Sequence, residues 1–141
     1  MSDPVERPKD GITPFLAISG GQAEEALAFY QRAFGAEVVE RNVAQDGKRL
    51  MQASARINRG WIMLSDDFPE MGFTAPPPGA VTLHLQVDDA DAWWKRALEA
   101  GATATMEIAD QFWGDRYGQL KDPFGHSWSV GSAIKAGVSS S

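Results

Sequence analysis

Cysteine is absent from the 141 residues, which excludes disulfides, thiolate zinc sites and a thiol nucleophile. No apolar run approaches the length needed to span a bilayer. The stretch Met1 to Asp10 carries Pro4, Pro8 and several charges but no apolar core of a signal peptide, so the expected location is cytoplasmic with no membrane partner. Positive charge is in deficit. Thirteen Lys and Arg against 19 Asp and Glu give a net charge of −6, which argues against a nucleic-acid partner. Histidine is scarce, with only His84 and His126. No glycine-rich nucleotide loop, phosphate loop or Ser-His-Asp order is present. What these absences leave is a globular chain, 43% hydrophobic and 23% charged, of a length suited to one domain or two half-domains.

That chain says nearly the same thing twice. Ala28-Phe29-Tyr30-Gln31-Arg32-Ala33, closed by Phe34-Gly35-Ala36, recurs as Ala92-Trp93-Trp94-Lys95-Arg96-Ala97, closed by Ala100-Gly101-Ala102. The copies stand 64 positions apart at Ala28 and Ala92, and 66 apart at Gly35 and Gly101. Two copies of one module predict a pseudo-symmetric fold with a ligand site between its halves.

The periodicities fill in each module. Residues 12–19 read as a strand, and Gly20-Gly21 breaks it. Ala26, Phe29, Tyr30, Ala33 and Phe34 then make one helical stripe that Gly35 stops. Strands follow at 36–43, 50–58 and 61–66, with turns at Gln45-Asp46-Gly47 and Asn58-Arg59-Gly60. Asp66-Asp67 reads as a solvated turn after the last of these, or as a carboxylate pair able to hold a cation. The expected divisions are an N-terminal arm at 1–11, a first βαβββ module at 12–67, a linker at 68–80 rich in Pro and Gly, a second βαβββ module at 81–132 and a tail at 133–141. In the second module Val81, Leu83, Leu85 and Val87 form the apolar face of a strand, and Asp88 or Asp89 caps a helix whose stripe is Trp93, Trp94, Ala97 and Leu98. Asp122-Pro123-Phe124-Gly125 suits a type I turn. The fold class is α+β.

The segments Glu25 to Tyr30 with Phe34-Gly35-Ala36, Leu83 to Asp89, Gln111-Phe112-Trp113-Gly114-Asp115-Arg116-Tyr117-Gly118 and Asp122 to Trp128 resemble the vicinal oxygen chelate superfamily. That superfamily contains glyoxalase I, extradiol dioxygenases and bleomycin-resistance proteins, and the likeness is to its PhnB-like branch. The resemblance implies a glyoxalase-like fold, two modules making a curved mixed sheet around a cleft, and a homodimer. In metal-using members it also implies ligands from the first, fourth, fifth and eighth strands. Those positions fall here near Thr13 to Phe15 and at Met63, Thr82 and Ser129. None is His, Asp or Glu, so no metal residues are assigned and no cofactor is expected; a divalent metal is disfavoured.

Period two places Thr82, His84 and Gln86 on one strand face. His84 reads as a catalytic acid-base residue, as one ligand of an atypical metal site with Gln86, or as a hydrogen-bonding wall. Phe15, Trp61, Met63 and Trp113 are the expected apolar walls, with Ser65 and Ser129 beside them. Trp93 and Trp94 are expected in helix packing. Arg116 is either an anchor for an anionic group or a salt-bridged strand residue. His126 lies on the strand face opposite Ser127 and Ser129 and reads as structural. The sequence thus leaves open a protein that binds a small organic ligand without a metal, and a lyase-, isomerase- or dioxygenase-like enzyme that uses His84.

Overall fold

The computed structural model describes residues 6–134, which divide into two units, the first running to Pro77 and the second beginning at Pro78. The first contains β1 (Phe15–Ile18), α1 (Ala23–Phe34), β2 (Glu37–Val43), β3 (Leu50–Ile57) and β4 (Gly60–Asp66). The second contains β5 (Thr82–Gln86), α2 (Ala90–Ala100), β6 (Thr103–Asp110), β7 (Asp115–Lys121) and β8 (Ser127–Ala133). Hydrogen bonding groups the strands into two four-stranded mixed sheets of order β1-β4-β3-β2 and β5-β8-β7-β6, the same topology twice. In each, the outermost pair (β1 with β4, β5 with β8) is parallel and the remaining pairs are antiparallel.

The stripe of α1 is the core of the first unit. Ala26, Phe29, Tyr30, Ala33 and Phe34 are each no more than 1% exposed, and Leu16, Ile18, Ala53, Ala55, Ile62 and Leu64 of the sheet are buried as well. Phe29 meets Tyr30 edge-on at 5.6 Å and Phe34 at 6.1 Å. Each such buried ring stabilises the fold by roughly 1.5–3 kcal/mol. Gly35 ends the helix at φ 67°, where its N–H and that of Ala36 reach the carbonyls of Gln31 and Tyr30. The start of α1 is secured from a distance. Gln22 gives no side-chain cap, and instead the buried carboxylate of Asp66, at the end of β4, accepts from Ala23 N at 2.9 Å and from Leu50 N at 2.7 Å.

The second unit repeats the device in a different residue. Ser132, near the end of β8, accepts from Ala90 N at 3.2 Å, while Asp89 caps α2 by accepting from Ala92 N at 3.1 Å. The apolar stripe of α2 is narrower than its periodicity predicts. Trp94 and Ala97 are buried, whereas Leu98 is exposed and Trp93 half-buried. Gly118 explains how β7 fits so large a ring as Trp94: a Cβ there would stand 2.7 Å from Trp94 and 2.9 Å from the Ile108 backbone. The Asp122 carboxylate shapes the Asp-Pro-Phe-Gly turn, accepting from Phe124 N, His126 N and the indole of the buried Trp128.

Four further expectations change. The segment from Phe68 is not a free linker at its start: Pro69–Met71 forms a 3-10 turn, Phe68 bridges Phe73, and Arg49 stacks 4.4 Å above the Phe68 ring while pairing with Glu70. Asp66 and Asp67 are buried rather than solvated, and both are spent on backbone amides, Asp67 on Ala75 N. Val81 precedes β5 and is 70% exposed, because its N–H turns back to Gly79 instead of joining the sheet. The tail begins later than expected, since Ala133 pairs with Asp115 and Ile134 N bonds Gly114 O; the rest, 135–141, lies outside the described residues, as does 1–5 of the arm. The described part of the arm is tied to the first sheet through Glu6 with Arg56 and Arg7 with Glu40.

Candidate functional site

On the face of the second sheet away from α2, register sets three rows of side chains. His84 sits beside Ser129, which sits beside Gln119; Gln86 sits beside Gly131, which sits beside Tyr117; Thr82 neighbours Ser127. Gly131 is the notch in this grid. A Cβ there would lie 3.0 Å from His84 Cε1 and 3.4 Å from both His84 Nε2 and Gln86 Oε1, so the imidazole rests where a side chain would otherwise stand. From that seat His84 reaches Ser129 Oγ with Nδ1 at 2.8 Å and Gln86 Oε1 with Nε2 at 2.7 Å. Because the Gln86 oxygen only accepts, the bond to it requires a proton on Nε2, while the Ser129 hydroxyl can either donate to Nδ1 or accept from it.

The ring also stacks beside Tyr117, with centroids 5.7 Å apart and planes 28° off parallel. Trp113 meets Tyr117 edge-on at 5.5 Å, and Phe112 meets Trp113 in turn at 5.2 Å. An aromatic row thus runs from the sheet onto the β6–β7 turn, where Trp113 is 49% exposed and Phe112 96% exposed. Gln119 Nε2 donates to the Tyr117 hydroxyl at 3.0 Å. The face therefore offers flat apolar surface beside a fixed set of hydrogen-bonding groups.

The second unit brings together His84, Gln86, Ser129 and, through Tyr117, Trp113, with Thr82 one step along the same face. It does not bring Arg116 with them. Arg116 alternates to the helix side of β7, where Asp91 holds it at 2.9 Å and Asp110 at 3.2 Å. These carboxylates, Asp91 foremost, raise the guanidinium's pKa above its ordinary value. With Asp88 and Asp89 they rim a cavity of about 310 Å³, an anionic setting that opposes an anion anchor and leaves the salt-bridge role. Among the described residues the buried Nε2 of His126 has no hydrogen-bond partner. Tyr117, Gln119 and Gly131 complete the candidate face and were not singled out from sequence.

The remaining expected residues share the corresponding face of the first sheet. Phe15 neighbours Met63, Ala17 neighbours Ser65, and Trp61 lies under the Arg56 guanidinium, 5.3 Å from its ring centroid. Phe15 is 53% exposed, whereas Ser65 is buried.

The sequence pattern of the Glyoxalase/Bleomycin resistance protein/Dioxygenase superfamily matches residues 13–130. The chain belongs to this superfamily. It is 44% identical over 130 residues to an uncharacterised protein of Mycobacterium bovis, the match covering 88% of this chain and 84% of that one. Among solved structures, a Pseudomonas aeruginosa protein superposes with a TM-score of 0.74 at 23% identity, covering 90% of this chain and all (100%) of that one. A PhnB protein from Bacillus cereus gives 0.70 at 25% identity, with 88% and 100% covered. These likenesses agree with the glyoxalase-like α+β fold seen in both units.

The glyoxalase superfamily includes metal-using members, so the donor set matters. At the implied positions this chain offers a thioether from Met63 and hydroxyls from Thr82 and Ser129, all weak ligands for a divalent ion. His84 is the nearest strong donor, and both its nitrogens are already engaged by Ser129 and Gln86. Among the described residues, no group of three His, Asp or Glu side chains is arranged to hold a metal ion. These residues do not fit a divalent metal. Nor, among the described residues, is any helix long and apolar enough to cross a membrane.

Proposed function

We propose that this glyoxalase-like chain binds a small, partly aromatic organic molecule on the open face of its second sheet, without a metal. One observation carries the reading: the His84 imidazole lies on Gly131 with both nitrogens satisfied, flush with the Tyr117–Trp113 wall. Such a ring is a preorganised surface. An imidazole acting as a general base would instead keep one nitrogen open toward the substrate. Flat aromatic walls with a few fixed polar groups are what an organic ligand site requires. The name of the superfamily includes bleomycin resistance, which makes bleomycin-type compounds a rational first panel.

The test is calorimetric titration with bleomycin-type and other aromatic compounds, repeated on Trp113→Ala. Binding that weakens at least about tenfold in the variant supports the site, since an aromatic contact contributes on the order of 1 kcal/mol and its buried area adds to that. Absence of heat across the panel counts against it. Metal analysis of protein purified without a metal-affinity tag checks the other half of the reading; stoichiometric bound metal would overturn it. The catalytic alternative predicts that His84→Gln abolishes turnover of an enolisable substrate while binding persists.

A further inference from the structure

The polar edge of this face has a direction, and that direction specifies a ligand class. Gln119 Nε2 donates to Tyr117 Oη at 3.0 Å, so the phenol spends its acceptor on Gln119 and keeps its own hydrogen. Among the described residues nothing takes that hydrogen, and nothing donates to Gln119 Oε1. The two groups sit two residues apart on one face of β7, tied to each other by the bond between them. They present a donor, the Tyr117 hydroxyl, and next to it an acceptor, the Gln119 carbonyl. Trp113 stands edge-on to Tyr117 at 5.5 Å and supplies apolar wall beside this edge.

Resting on the ligand-binding reading above, we infer that the ligand is a neutral, flat heteroaromatic whose edge carries an adjacent acceptor and N–H donor, as in a lactam. The acceptor takes the Tyr117 hydroxyl proton and the N–H donates to Gln119 Oε1. A carboxylate is disfavoured at the same edge because its second oxygen would face the Gln119 carbonyl, acceptor against acceptor. Lys121, next along the same face of β7, is the cation that a carboxylate would need to recruit.

The probes are 2-quinolone, N-methyl-2-quinolone, which lacks the donor, and quinoline-2-carboxylate, followed by NMR on the wild-type protein through the Trp113 indole and the Gln119 side-chain amide. Ligands of this size reach about millimolar affinity with ordinary efficiency, within range of such titrations. The expected result is 2-quinolone binding at these two reporters about tenfold or more tighter than its N-methyl analogue and than the carboxylate. Tyr117→Phe and Gln119→Leu should each erode that preference. Equal binding of 2-quinolone and its N-methyl analogue at Trp113 would overturn the donor–acceptor edge while leaving the ligand site standing, and so would tighter binding of the carboxylate. No binding of any probe at Trp113 would overturn both.

Discussion

Gly131→Ala is the most direct perturbation of the candidate face. The new methyl would lie 3.0 Å from His84 Cε1, against the 3.4 Å at which ordinary contact begins, so the imidazole must recede by about 0.4 Å or leave. Receding is not free in direction. Ser129 and Gln86 hold the ring at 2.8 and 2.7 Å from opposite nitrogens, so lifting it stretches both bonds together. A hydrogen bond of this kind contributes about 0.5–1.5 kcal/mol net, and the offset stack on Tyr117 a similar amount. The face is solvated, so water replaces part of what is lost, and the expected cost in stability is about 1–2 kcal/mol. The decisive readout is the ring itself. In the wild type the ring nitrogen shifts should report a proton held on Nε2 by Gln86, and the ring protons should carry the shift that Tyr117 induces. In Gly131→Ala the ring nitrogen and proton shifts should both move toward those of a free histidine, while amide protection along β5 and β8 persists. An unchanged His84 spectrum would refute the claim that Gly131 is its seat.

Gly118→Ala should be more damaging to the fold and silent at His84, because its methyl meets Trp94 at 2.7 Å and backbone at 2.9 Å; urea unfolding should show a loss of about 1–3 kcal/mol or more. Asp66→Ala leaves the buried amides of Ala23 and Leu50 without their acceptor, and should cost roughly 2–4 kcal/mol in the same assay. Asp46 is held at a pKa of about 2, below its ordinary 3.8, by the Arg49 backbone N–H first and the Arg49 guanidinium second. Its stabilising contribution is therefore complete above pH 3.8 and is lost as pH falls through about 2; carboxyl NMR of Arg49→Met should find the Asp46 midpoint moved up toward 3.8.

The helices, the doubled topology and the strand count were legible because they rest on short-range period. Stripes of Phe29, Tyr30 and Ala33, and of Trp94 and Ala97, declare themselves within a dozen residues. The helix anchors were not legible, since Asp66 and Ser132 act on amides more than 40 positions away and only strand register delivers them. The segment after Asp67 was read from its prolines as a linker, but Arg49, from another part of the chain, folds its first half onto the first unit. On β7 a local signal existed. Leu120 is buried, and alternation from it puts Gly118 and Arg116 on the helix side and Gln119 and Tyr117 on the other. Arg116 invites a functional reading because it is charged, although its neutral neighbours Tyr117 and Gln119 make the face.

The two units carry different residues at equivalent positions of this face. Asp66 and Ser132 do the same task at the same strand end, which makes Met63 equivalent to Ser129, Phe15 to His84, and Ser65 to Gly131. The equivalence reaches β3 and β7, but with the bond reversed: Gln52, the counterpart of Tyr117, donates to Ser54, the counterpart of Gln119, at 2.7 Å, whereas Gln119 donates to Tyr117 at 3.0 Å. One scaffold therefore carries an apolar pair, Phe15 with Met63, in the first unit, and a hydrogen-bonded pair, His84 with Ser129, in the second. Only the second has a glycine at the position that lets an imidazole lie flat. A role for the first unit's face in polar recognition would need a group able to fix orientation at Phe15 or Met63, and neither supplies one. The proposed discriminating contacts therefore fall in the second unit, which is why the substitutions that test them, Gly131→Ala and Tyr117→Phe, both lie there.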